Sequence, residues 1–131
     1  MITWRGGCSR GRLGVVTDGE PVRSSVCHCL ARRRRVGSVF GARARFRRAD
    51  VEVTGPSTAS RRVAGSGDAI TFHVCPSCGL TVHSLPAAEP DLIAAPSGAF
   101  SAPGFQQPTV SFHESRRHLR VGLPDDIEHI D

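Results

Sequence analysis

Five cysteines carry the chemistry this chain has to offer: Cys8, Cys27, Cys29, Cys75 and Cys78. In Cys75-Pro76-Ser77-Cys78-Gly79 two thiolates stand two residues apart, and a tight turn between them aims both sulfurs at one ion. The following Gly79 permits the close backbone approach that a metal knuckle needs. One such pair supplies half of a tetrahedral zinc site, so the remaining ligands must come from Cys8, Cys27 or Cys29. Cys8 follows Gly6-Gly7, a turn that brings backbone close to something. Cys27-His28-Cys29 places two thiols on one side of an extended segment and His28 on the other.

Arginine is the second chemical theme. All 17 basic residues are Arg, and the formal net charge is +5. Arg32-Arg33-Arg34-Arg35, with Arg43, Arg45, Arg47 and Arg48, form the densest cluster. Guanidinium groups bind carboxylates and phosphates bidentately, so a small anionic ligand is one reading and a solvated basic face the other. Net charge alone bears on association and not on fold, and nucleic acid is not expected as a partner. The odd number of Cys, the lack of a basic-then-apolar leader and the lack of an apolar run near ~20 residues lead to an expected cytoplasmic location and no membrane contact. In a reducing compartment, close Cys pairs read as metal ligands more often than as disulfides.

The elements that must position these groups are short. Gly (14) and Pro (9) are plentiful, and helix formers such as Glu, Lys and Gln are sparse. The expected fold class is therefore mainly β, with short strands and turns favoured over long helices in one ordinary domain. Strands are expected over Arg12–Thr17, Val22–Val26, Val39–Phe46, Asp50–Thr54, Ala69–Val74, Leu80–Leu85, Leu92–Ala95 and Thr109–His113. Leu30–Arg35 reads as a helical turn stopped at Val36-Gly37. Gly55–Gly67 reads as a hairpin with a mobile tip at Gly65-Ser66-Gly67-Asp68, and Ser97–Pro108 as either a long ordered loop or a disordered stretch. Pro124–Asp131 is an acidic tail with Ile127 and Ile130 at a helical spacing.

Several stretches together resemble one family. Gly6-Gly7-Cys8, then Cys27-His28-Cys29 followed by Arg34 and Gly37-Ser38-Val39-Phe40, then Cys75-Pro76-Ser77-Cys78-Gly79, look like the glutathione-dependent formaldehyde-activating family, which is related to centromere protein V. Gly98-Ala99-Phe100, Pro108-Thr109-Val110-Ser111, Glu114-Ser115-Arg116-Arg117-His118 and Leu123-Pro124 extend the likeness toward the end of the chain. The resemblance implies a β-rich fold of small sheets stabilised by Zn²⁺, as a single domain over residues 5–131, with glutathione or a related small thiol as partner. It also implies a carbon–sulfur lyase activity that forms S-(hydroxymethyl)glutathione. The family pattern is C-x-C, then C-x-C-x-x-C, then C-x-x-C. Its first and last pairs hold a structural zinc, and its middle three cysteines hold a catalytic zinc that takes the thiolate.

On that pattern Cys8, Cys75 and Cys78 are the expected ligands of the structural metal. Cys27 and Cys29 are the expected metal-ligating and catalytic residues of the second site, and Arg34 is the expected contact to glutathione. Each metal set is one ligand short, because Arg10 and Arg32 stand where the family has Cys. A guanidinium has no lone pair to give and stays protonated, so it cannot ligate zinc. His73 and His83 are nearby candidates to complete the first set. The family usually carries Tyr-Trp where this chain has His83-Ser84, Trp near Leu119-Arg120, and Tyr at the position of His113. The expectation is a zinc-binding, lyase-like protein with impaired chemistry. The alternative is a non-catalytic zinc-stabilised binding module.

Overall fold

The computed structural model describes residues 2–64 and 67–131. Gly65 and Ser66, the expected hairpin tip, lie outside the described residues. Among those described, eleven strands and one α-helix follow in the order β1 (Thr3–Gly7), β2 (Gly14–Asp18), β3 (Arg23–Cys27), α1 (Leu30–Val36), β4 (Gly41–Arg47), β5 (Val51–Thr54), β6 (Thr58–Val63), β7 (Ala69–Val74), β8 (Thr81–Pro86), β9 (Leu92–Pro96), β10 (Val110–Phe112) and β11 (Glu128–Ile130). The protein is mainly β, as its composition requires.

The strands form two sheets. A three-stranded antiparallel sheet runs β1-β2-β5, and an eight-stranded sheet runs β11-β10-β3-β4-β9-β8-β7-β6. Most neighbours are antiparallel, but β10 lies parallel to both β3 and β11. The β7–β8 ladder slips between His73 and Val74, beside the Cys75–Cys78 turn. Such a bulge adds local twist and re-aims the side chains next to it.

Alternation explains how the large sheet divides its faces. In β4 the residues Ala42, Ala44 and Phe46 point one way, and Arg43, Arg45 and Arg47 the other. Ala44 and Phe46 are buried with Leu13, Val15, Val82, Ile93 and Ala95 in the cluster that joins the two sheets. Burying such side chains contributes roughly 1.5–3 kcal/mol each, so this seam is the main apolar source of stability.

The Ser97–Pro108 segment is not a mere loop. It opens with a 3-10 turn, Ser97–Phe100, and it supplies two rings to the core. Phe100 stacks on Phe105 at 4.5 Å between centroids, and Phe105 meets Trp4 edge-on at 5.0 Å. Gly6 makes this possible, because a Cβ there would stand 3.0 Å from the Phe100 ring.

The acidic tail also departs from its helical spacing. Residues 128–130 form β11, with Ile127 buried and Ile130 exposed. Pairing with β10 in register from Val110–Glu128 to Phe112–Ile130 overrides the weak local periodicity. The other predicted elements stand within a few residues of their expected limits. The largest shifts are two residues, at β2, which starts at Gly14 rather than Arg12, and at β4, which starts at Gly41 rather than Val39.

Candidate metal centre and arginine-lined cavity

Two turns of similar design face each other at one end of the core. At the first, the Cys8 N–H donates to the Leu13 carbonyl at 3.0 Å, and the Gly11 N–H donates to the Cys8 carbonyl at 2.9 Å. At the second, the Cys75 N–H donates to the Leu80 carbonyl at 2.9 Å, and the Gly79 N–H donates to the Cys75 carbonyl at 2.9 Å. Gly11 and Gly79 adopt φ of +71° and +82°, the left-handed conformation that closes each turn. The Arg12 guanidinium donates to Ser77 Oγ at 3.3 Å and ties the two turns together.

The sulfurs of Cys8, Cys75 and Cys78 consequently lie within 4.8 Å of one another. Zn–S bonds of about 2.3 Å in a tetrahedron separate sulfurs by roughly 3.8 Å, so three corners of a zinc site fit this cluster. Cys8 is prepared as a thiolate. The Leu13 N–H donates to its sulfur, and with help from the Arg10 and Arg12 N–H groups and Cys75 this outweighs burial and lowers its pKa to about 6. Cys8 and Cys75 are buried and Cys78 is exposed. Neither His73 nor His83 joins the group. Their rings stack on each other at 4.4 Å, and His73 Nδ1 is hydrogen-bonded to Ser57 Oγ at 2.9 Å.

Cys27 and Cys29 form a separate pair. Cys27 ends β3, and Cys29 caps α1, its sulfur accepting the Arg32 N–H at 3.4 Å. The two thiols hydrogen-bond to each other. Burial pushes the Cys27 thiol up. Burial also acts on Cys29, but the Arg32 N–H, the Cys27 thiol and the Arg32 charge outweigh it and hold that thiol low. Among the described residues, no third His, Cys, Asp or Glu ligand gathers with this pair. A two-thiol set with a guanidinium beside it does not fit zinc. His28 faces away, fully buried, with Nε2 at 3.1 Å from Ser111 Oγ.

Arg32, at the position where the resemblance expects a third cysteine, is held by an unusual seat. A Cβ on Gly41 would lie 2.5 Å from Arg32 Cδ and 2.6 Å from Cγ. The arginine stem therefore rests on bare backbone of β4. Its Nε is buried without a hydrogen-bond partner.

Around the thiol pair opens a cavity of about 310 Å³. Six arginines line it: Arg23 from β3, Arg32 and Arg35 from α1, Arg43 and Arg45 from β4, and Arg62 from β6. The acidic residues of the lining, among those described, are Glu89 and Asp68. Glu89 is engaged by Arg45 at 2.8 Å. Arg35 lies over the Phe72 ring at 4.0 Å and donates to Thr81 Oγ1 at 3.2 Å. The Nε atoms of Arg43 and Arg45 are buried without partners. Burial, then the neighbouring Arg32 and Arg45, pushes Arg43 down to about 9. Burial, then Arg32 and Arg62, pushes Arg35 down to about 10. Both remain cationic at neutral pH, so the shifts report burial first and crowding of like charge second, rather than loss of charge.

The arginine cluster of the sequence is thus sorted by the fold. Arg34 is exposed and lies outside this lining, on the adjoining surface with Leu30, Ala31, Arg35 and Arg62. Arg33 donates to the Arg116 carbonyl, Arg47 pairs with Asp50, and Arg48 donates to the Pro90 carbonyl. Arg23, Arg62 and His113 of the cavity escaped sequence reasoning. Arg23 stands opposite Arg45 in the β3–β4 register, a signal visible only once the pairing is known. His113 has φ +57° and lines the cavity just past the end of β10.

A search among curated proteins finds no significant match. A crystal structure of a Rhodobacter sphaeroides protein, a structural-genomics target, is similar in fold with a TM-score of 0.56. It is 18% identical, and the alignment covers 78% of this chain and 90% of that one. The family model described as glutathione-dependent formaldehyde-activating enzyme matches residues 3–116, which takes in all five cysteines, both knuckle turns and the arginine-lined cavity, and the chain belongs to that family.

Proposed function

We propose that this chain is a zinc-stabilised member of its family in which formation of S-(hydroxymethyl)glutathione is impaired. Cys8, Cys75 and Cys78 would hold a structural zinc, which when bound supplies a cross-link between distant segments and no reacting group. The family reaction joins the glutathione sulfur to the formaldehyde carbon and moves the thiol proton to the carbonyl oxygen. That step needs a site that holds the sulfur as thiolate, and the resemblance assigns this task to a metal on three cysteines.

The observation that carries the reading is Arg32. Its stem fills the space over Gly41 beside Cys29, and its guanidinium cannot ligate. The cavity arginines remain able to take the carboxylates of glutathione or a related small thiol, since guanidinium binds such groups bidentately. Arg34 would meet the outer end of that ligand. The chain is then a binding module first and a poor carbon–sulfur lyase second, at work in a reducing cytoplasm that keeps its five thiols free.

The test is zinc per chain by elemental analysis, paired with product formation by NMR after subtraction of the uncatalysed reaction. Wild-type protein is expected to hold one zinc or less and to turn over little or not at all. Arg32→Cys is expected to gain a second zinc and turnover. Arg10→Cys is expected to tighten the first site without gaining turnover. Wild-type protein that already carries two zinc ions and turns over would overturn the reading.

A further inference from the structure

The arginine-lined cavity has far more positive charge than its own walls answer. Six guanidinium groups from three strands and one helix line it, against Glu89 and Asp68. Glu89 is taken by Arg45. Even so, Arg45 is about nine-tenths buried and its Nε has no partner, and the same is true of the buried Nε atoms of Arg32 and Arg43. A buried polar N–H without a hydrogen-bond partner is costly, the more so on a charged group, so an arrangement of this kind stands in need of an anion from outside. The cavity volume of about 310 Å³ is large enough for a small molecule and not only for an ion.

The directions from which the arginines arrive distinguish one anion from another. A carboxylate offers two oxygens in one plane and suits a single guanidinium fork. Here the forks come from different walls: Arg43 and Arg45 from the floor of the sheet, Arg32 and Arg35 from α1, and Arg62 from β6. A tetrahedral dianion offers three peripheral oxygens pointing in different directions, and it also carries the larger charge. Beside the charged groups stand apolar walls, Phe72, Phe112 and Ile70, against which an organic body can lie.

We propose that this cavity binds a small phosphomonoester, with the phosphoryl group seated among Arg32, Arg43 and Arg45. The proposal rests on the reading that Arg32, and not a metal, fills the space beside Cys27 and Cys29. It goes beyond that reading by naming a ligand whose charged group is a phosphoryl rather than a carboxylate.

The experiment is titration calorimetry of the full chain with phenyl phosphate and, as a matched carboxylate, benzoate, with glutathione as a third arm. Buffer is phosphate-free at about 0.15 M salt, where long-range screening is strong and close contacts dominate. Zinc is counted on the same sample. Phenyl phosphate is expected to bind at one per chain and at least about tenfold more tightly than benzoate or glutathione. Arg43→Gln should weaken phenyl phosphate about tenfold or more, while Arg120→Gln, which removes the same charge from an exposed position outside the cavity, should leave it unchanged. Arg62→Gln, on an exposed strand, serves if Arg43→Gln fails to fold, and it is expected to weaken binding in the same direction. Equal affinity for phenyl phosphate and benzoate, tighter binding of glutathione, or indifference to both cavity variants would overturn the proposal. A second zinc in the wild-type sample would instead overturn the functional reading on which it rests, so the two failures are told apart.

Discussion

The side chain of Arg32 lies on Gly41 so closely that no other residue could occupy position 41 without moving it. One residue stands in the first turn of α1, and the other is the bare stretch of β4 that receives it. Gly41 has no positive φ, so its backbone does not itself demand glycine. What demands glycine is the arginine stem.

This pair can be read by a double-mutant cycle. Gly41→Ala in the wild-type background should destabilise by about 1 kcal/mol, because the stem must shift and repack. In an Arg32→Ala background the same change should be neutral or slightly stabilising, since alanine in a strand loses less chain entropy than glycine. Urea denaturation of the four proteins checks it. Equal costs in both backgrounds would show that the close contact does not shape stability.

The two cysteine sets should differ sharply in their effect on folding. Cys75→Ser removes a ligand from the cluster that ties the Cys8 turn to the β7–β8 hairpin, and metal binding energy there is folding energy. A loss on the order of several kcal/mol is expected, as is sensitivity to a zinc chelator. Cys29→Ser should cost well under about 1 kcal/mol, the value of a whole helix cap, because serine keeps the cap on α1. Thermal melts of both variants with and without chelator decide it; equal melting temperatures would count against a structural metal.

His83 should make the fold sensitive to acid. It is buried, and burial followed by the charges of His73 and Arg48 lowers its pKa to about 4. The unfolded chain would protonate it near the ordinary value of about 6.5, so the stability gained by keeping it neutral is full above that value. It is lost progressively as pH falls from there toward 4. Between pH ~7.5 and ~5.5 this one group should remove about 1 kcal/mol. His83→Gln should show a shallower decline over that window. An identical decline in both proteins would mean that other groups account for it.

Glu89 offers a further check on the cavity. Neutralising it with Glu89→Gln leaves Arg45, only 10% exposed at its side chain, without its counter-charge. A destabilisation of about 2 kcal/mol is expected. Phenyl phosphate should then bind more tightly than to wild-type protein and restore the melting temperature by mass action. Weaker binding would place the ligand elsewhere.

Much of the site could be read from residue spacing. Two thiols, a turn and a glycine have few physical uses, and the Cys75–Cys78 knuckle stands where the spacing put it, with Cys8 against it. Alternation of Ala and Arg in β4 gave the two faces of that strand. Alternation alone still could not separate Arg43 and Arg45 from Arg47, because Arg47 shares their face but lies at the strand end, where Asp50 claims it. Phe100 and Phe105 were hidden for another reason. A segment rich in Pro and Gly shows no periodicity, and only the packing against Gly6 and Trp4 tells that its rings are core. β11 was unreadable in principle, since three exposed residues become a strand solely through their parallel partner.

The outer strand β6 is exposed at all six of its residues and forms one border of the large sheet. A border of this kind offers unpaired N–H and C=O groups to any other extended chain. Arg61 and Arg62 stand side by side in the middle of it and project to opposite faces, so each face of the border carries a fixed cation. Two copies brought together antiparallel through their β6 strands in the register that pairs Arg61 with Arg62 would set guanidinium against guanidinium on both faces, and like charges directly opposite are unfavourable. The strand that closes one wall of the cavity thereby also guards the molecule against growing into a continuous sheet with its own kind.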